Sequence, residues 1–165
     1  MSRVYVGTYA KYNDGNLAGE WLDLEDYADK DEFIAACLEL HKDEADPELM
    51  FQDFEDAPEG MVTESSIDPA LWDWLALDEH ERKVVEAYRG YVDQSATNEQ
   101  ALEAYRGKYE SAADYAEEHW SESGELEKVP EAVRYHIDWE GVARDMRDNG
   151  QNFVEAGYQE VYVFN

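Results

Sequence analysis

Acidic and aromatic residues interleave along the whole of this chain, and this limits what it can fold into more than any single motif does. A block of like charge with few aromatics would be a solvated tail, but no such block separates out here. The 41 Asp and Glu against 13 Lys and Arg leave a formal charge of −28, far from the ordinary globular balance. High charge favours disorder, yet 44% of the residues are apolar or aromatic, including 5 Trp and 12 Tyr, which is enough to fill buried cores. A folded chain with an unusually negative surface is the expectation. Divided near residues 60 and 104, its parts carry net charges of about −13, −7 and −8, so the charge is distributed.

The sign of that charge sets the partners. Nucleic acid and anionic membrane surfaces would both repel it, which leaves a basic partner or a cation. No apolar run approaches the roughly 20 residues needed to cross a bilayer. No basic, apolar leader opens the sequence, and Cys37 is its one cysteine, so neither export nor a disulfide framework is expected. The cytoplasm is the expected compartment.

The fold class read from the residues is α+β in three small parts, a mixed part over 1–60, a helical one over 61–104 and a mixed one over 105–165. The first begins with a strand through Val4, Tyr5 and Val6, turns at Asn13-Asp14-Gly15-Asn16 and continues in a strand through Trp21 and Leu22. Asp29 and Glu32 have capping-box spacing, and Phe33, Ile34, Cys37, Leu38 and His41 follow at helical period. A third strand is expected at Met50, Phe51 and Phe54. Asp68-Pro69 then opens a helix through Leu71, Trp72, Trp74 and Leu75, Asp78 with Glu81 a second, and Thr97 with Gln100 a third. In the last part a strand over 105–109 precedes a helix capped by Ser111. A break is expected at Val129-Pro130, then a helix capped by Asp138 and closed by Gly150. The end reads as a hairpin of Phe153-Val154 and 161–164, with Ala156-Gly157 in its turn.

Catalytic and metal motifs are absent from this pattern. His80 and His119 each follow a glutamate, but neither begins the His-Glu-x-x-His spacing that sets two imidazoles on one helix face around zinc. Asp53, Glu55 and Asp56, or Asn13, Asp14 and Asn16, lack the glycine and distal glutamate of a calcium loop. Cys37 on an apolar helix face reads as a core residue, because burial away from bases keeps a thiol protonated. The glycines are scattered singly and form no phosphate-binding loop. A carboxylate pair for glycoside hydrolysis exists at any chosen spacing when acids are this abundant, so that pattern carries no information. No metal, no cofactor and no catalytic residue is assigned.

Duplex DNA carries one charge per roughly 1.7 Å of axis, so 28 net charges equal those on about 48 Å of duplex. A compact chain of this length is about 40 Å across. A Lys- and Arg-lined channel built for phosphates would accept such a surface. The same composition also suits a salt-adapted soluble protein of other function, or a carboxylate-based hydrolase, and composition does not separate these readings.

The opening VYVGTYAKYNDGNLAGEWLDL, the strand MFQDFE and the stretch LEKVPEAVRYHIDWEGVARDM resemble the ArdA family of antirestriction proteins. Within the last stretch, Leu126, Val129, Pro130, Glu131, Tyr135, Asp138, Trp139 and Glu140 look like that family's antirestriction motif. The resemblance implies an elongated, three-domain, non-enzymatic mimic of DNA that dimerises through its C-terminal domain. It would occupy the DNA-binding site of Type I restriction-modification enzymes, formed by the specificity subunit and methyltransferase core, and would be carried on mobile genetic elements. The motif residues are expected to build the scaffold, with Pro130 setting the chain direction, Tyr135 and Ile137 packing inward and Asp138 capping a helix. The expected imitations of phosphate are Glu25, Asp26, Asp29, Asp31, Glu32, Asp73, Glu79, Glu86, Glu117, Glu118 and Glu122.

Overall fold

A computed structural model describes residues 1–165, and the chain gathers into two compact units, Met1–Asp78 and Glu79–Asn165. Both are mixed α+β, each with a three-stranded antiparallel sheet.

In the first unit β1 (Arg3–Thr8) is flanked by β2 (Glu20–Asp23) and β3 (Leu49–Glu55), giving the order β2-β1-β3. Alternation of the β-branched Val4 and Val6 buries both side chains completely. A bulge at Tyr5/Val6 shifts the register against β3, so Val4 faces Phe54 while Val6 faces Phe51. The connection from β1 to β2 is more than a turn. Thr8 accepts from the Lys11 amide and caps the short helix α1 (Tyr9–Asn13), and Gly15, at φ +75°, follows it.

Helix α2 (Lys30–Leu40) starts where Asp29 accepts from the Glu32 amide at 2.9 Å. The reciprocal bond of a capping box lands one residue early, on the Ala28 amide, which donates to Glu32 Oε2. Phe33 and Cys37 are fully buried on the inner face of α2. The Phe33 ring sits 5.4 Å from Tyr27, 6.2 Å from Phe51 and 5.8 Å from Trp72, so one aromatic side chain joins α2 to β3 and to α3 (Ala70–Leu75). Asp68 Oδ1 accepts from the Ala70 amide, and Pro69 has the φ of −56° that a helix start requires. Leu71 and Trp74 are buried, and Trp72 Nε1 donates to the Tyr27 carbonyl at 3.0 Å.

The second unit opens with α4 (Glu79–Tyr91) and α5 (Asn98–Ala104), the latter begun by a complete Thr97/Gln100 capping box. Strand β4 (Tyr105–Tyr109), helix α6 (Ala112–Glu122), the short α7 (Glu131–Arg134), helix α8 (Trp139–Asp148), β5 (Asn152–Gly157) and β6 (Glu160–Phe164) complete it. The sheet order is β4-β6-β5. Its period of two sends side chains to opposite faces. Tyr162 and Phe164 pack with Val84, Val154 and Tyr88, whereas Val161 and Val163 pack with Tyr115, Met146 and Phe153. Burial, and then the neighbouring Glu160, push the Tyr162 phenol up to about 12.

The hairpin and the Val129-Pro130 break compare differently with the sequence expectation: the first moves, and the second stands. The hairpin turn is Tyr158-Gln159, not Ala156-Gly157, which continue β5 as far as the Gly157–Glu160 pair. Gln159 takes the left-handed conformation, φ 51°, that tight hairpin turns require and that glycine adopts most readily. Val129-Pro130 is flanked on both sides by helical turns, a 3₁₀ turn over Leu126–Lys128 and then α7.

Candidate functional site

Possible catalytic side chains are held by the scaffold. His41 is buried, with Nδ1 2.9 Å from the Lys11 ammonium and Nε2 3.0 Å from the Val6 carbonyl. An ammonium can only donate, so Nδ1 accepts and Nε2 carries the proton that bonds Val6. Lys11 also donates to Asp43 at 2.9 Å, and this bond holds the Asp43 carboxyl below its usual range. His119 stacks on Tyr115, and His80 lies edge-on to Tyr105 and Tyr162. Burial raises the Cys37 thiol to about 12. No group of three His, Cys, Asp or Glu side chains is placed to hold a metal ion. No helix is long and apolar enough to cross a membrane.

The acids present a different picture. Both units are strongly negative. The first carries 21 acidic and 4 basic residues, net −17, and the second 20 and 9, net −11. All eleven acids expected to imitate phosphates are exposed. In the first unit, Glu25 and Asp26 sit in a 3₁₀ turn, Asp29 caps α2, and Asp31 and Glu32 occupy its first turn. Carboxylates favour that place because a helix N-terminus is partially positive. Asp73 lies on α3 between the buried Leu71 and Trp74.

In the second unit, Glu79 and Glu86 stand on α4 beside the buried Val84 and Val85, and Glu117, Glu118 and Glu122 stand on α6 beside the buried Tyr115 and Ala116. Amphipathic spacing thus decides which carboxylates reach water. Glu79 bonds Lys83 at 2.8 Å and is held below its usual range by that bond. By contrast, Asp31, Asp73, Glu86, Glu117, Glu118 and Glu122 make no side-chain hydrogen bond or salt bridge. Between Lys42 and Arg82 the chain has no Lys or Arg at all.

The stretch from Leu126 to Glu140 is more exposed than its periodicity suggests. Tyr135 was expected inside, but it is 90% exposed, and Val133 of α7 is 47% exposed. The helix α7 ends after one turn at Arg134, and Tyr135 falls at its C-cap, where no helix face carries it toward the core. Leu126, Val129 and Trp139 are half-buried, while Pro130, Glu131 and Glu140 are exposed. Trp139 meets Trp120 edge-on at 5.6 Å. Asp138 does cap α8, accepting from the Gly141 amide at 3.0 Å. Sequence reasoning missed Arg134, whose guanidinium bonds the carbonyls of Val129 and Glu127 and braces the turn from inside.

No curated protein matches the chain. A family model described as antirestriction protein (ArdA) matches residues 4–160, nearly the whole of it. The chain belongs to the ArdA family of antirestriction proteins, non-enzymatic inhibitors of Type I restriction enzymes.

Proposed function

We propose that the chain inhibits by imitating duplex DNA, its carboxylates taking the place of phosphates in the DNA-binding site that the specificity subunit and methyltransferase core of a Type I enzyme form. The observation that carries this reading is the exposure of all eleven candidate acids on both negatively charged units. Helix dipoles, caps and amphipathic spacing hold these acids outward while the aromatic side chains fill the interior, so the charges are fixed in position without a cofactor or a catalytic step. A basic channel that receives them releases counter-ions, which makes the complex tight at low salt and weak at high salt.

The finer parts of the proposal follow the family resemblance. They are an elongated arrangement of three parts divided near residues 60 and 104, a homodimer formed through 105–165, and action in the cytoplasm. The test is competition between the purified protein and a labelled duplex carrying the enzyme's recognition sequence for a Type I methyltransferase. Displacement of DNA at about 50 mM salt is expected, and the protein's own affinity for the enzyme, measured directly, should fall at least about tenfold by about 500 mM. Inhibition that leaves DNA bound to the enzyme would overturn mimicry.

A further inference from the structure

Tyr135 stands outside a fold that keeps most of its aromatic rings buried or half-buried. Its ring is 90% exposed and meets no other ring, and its hydroxyl bonds no group of the chain. The position is nevertheless fixed. The Val133 amide bonds the Pro130 carbonyl and the His136 amide bonds the Val133 carbonyl, each at 3.0 Å, and Arg134 ties the same turn back to Val129 and Glu127. Three residues further on, Asp138 caps α8. A ring held in water by a braced backbone is preorganised for a partner, because little freedom remains to be lost on binding.

Its surroundings are acidic. Along the chain the ring is flanked by the exposed Glu131 and Asp138, and Val133 adds a second exposed apolar side chain to the same turn. Tyr158 is as exposed, but it forms the tip of the hairpin, where a turn residue has no core to reach. A flat ring with a polar edge, set between anionic groups, resembles one state of DNA, a nucleotide turned out of the duplex with its base free and phosphates on either side. Methyltransferases work on a base in that state, and hold it in a pocket by stacking and by hydrogen bonds to its edge. A phenolic hydroxyl both donates and accepts, as the edge of a base does.

The geometry points to Tyr135 as the side chain that enters the pocket in which a Type I methyltransferase receives its flipped base. This rests on the reading of the chain as a mimic of DNA and adds an apolar contact that carboxylates cannot make. Binding removes from water a ring that the free protein leaves exposed. The contact carries no charge, so it gains nothing from the release of counter-ions on which the carboxylates depend. Salt therefore separates the two contributions.

The experiment measures the affinity of the full chain for a Type I methyltransferase at several salt concentrations, with Tyr135→Ala and Tyr135→Phe beside wild type. Tyr135→Ala is expected to bind at least about tenfold more weakly at every concentration, with the slope of log affinity against log salt unchanged. Tyr135→Phe, which can still stack, should stay within about threefold of wild type. Against an enzyme whose base-stacking side chain is changed to alanine, the loss from Tyr135→Ala should shrink below about threefold, since the two rings then no longer meet. Sedimentation velocity should find both variants in the same assembly state as wild type. Affinity untouched by Tyr135→Ala, a changed salt slope, an equal loss against both enzymes or an altered assembly state would each overturn the base-pocket contact while leaving mimicry standing. A wild-type protein that fails to compete with DNA would remove both.

Discussion

The Arg134 guanidinium donates to the Val129 carbonyl from Nε at 2.8 Å, crossing the bend that Pro130 makes. Nη2 adds a bond to the Glu127 carbonyl at 3.2 Å, so a single cation holds two backbone acceptors of the 3₁₀ turn. Arg134→Ala is expected to cost about 1–2 kcal/mol in chemical denaturation, in the range of hydrogen bonds from a charged donor to a partly exposed site. Arg134→Lys should recover little of it, since an ammonium cannot span both acceptors with a planar fork.

Tyr135 should behave in the opposite way. With its ring in water it contributes no core packing, and Tyr135→Ser is expected to change stability by less than about 0.5 kcal/mol. A thermal melt checks this directly, and a loss of several degrees would mean that the ring is covered in solution.

Phe33 is where the first unit is most vulnerable. It is fully buried among Tyr27, Phe51 and Trp72, and Phe33→Ala should cost about 3–5 kcal/mol through lost burial and the cavity left behind. Urea denaturation of the variant, followed by tryptophan fluorescence, measures it.

Alkaline pH supplies a further test. Cys37 is raised from 9.0 and Tyr162 from 10.0, each to about 12, and burial is the main cause in both. Groups with raised folded values stabilise fully below their unfolded values and lose that contribution as pH climbs through the folded ones. Stability should therefore hold to about pH 9 and decline between about pH 9 and 12. Burial keeps the Cys37 thiol protonated near neutral pH and out of reach, so a thiol reagent at pH 8 should react with native protein only after unfolding.

Salt should act on the fold and on inhibition with opposite sign. Self-repulsion among acids without cationic partners is screened as ionic strength rises, so the melting temperature should increase by several degrees between about 20 mM and 500 mM sodium chloride. Over the same range the protein's direct affinity for the enzyme should fall.

Much of the fold was legible because its signals are local. Thr97, Ser111 and Asp138 each cap a helix within a few residues of themselves, and Val4 and Val6 declare a strand by alternation. What escaped depended on rarer backbone choices. Gln159 adopts a left-handed conformation beside a glycine that does not need one, and α1 forms between two strands on the strength of a single threonine cap. The exposure of the acids follows from charge, but which acids escape ion pairing does not. Glu79 and Glu86 share α4, and Lys83 stands one turn after the first and three residues before the second, yet only Glu79 is bonded by it.

Asp31, Asp73, Glu86, Glu117, Glu118 and Glu122 are tied to nothing within the fold, and heredity should treat them accordingly. Where a carboxylate works by being outside, aspartate and glutamate are nearly interchangeable, and one lost here can be regained a turn away. Descendants of this sequence are then free to rewrite their surfaces quickly while Val4, Phe33, Leu71 and Phe164 stay fixed. Kinship would be read from the interior, and two homologues could share little of the very surface that does their work.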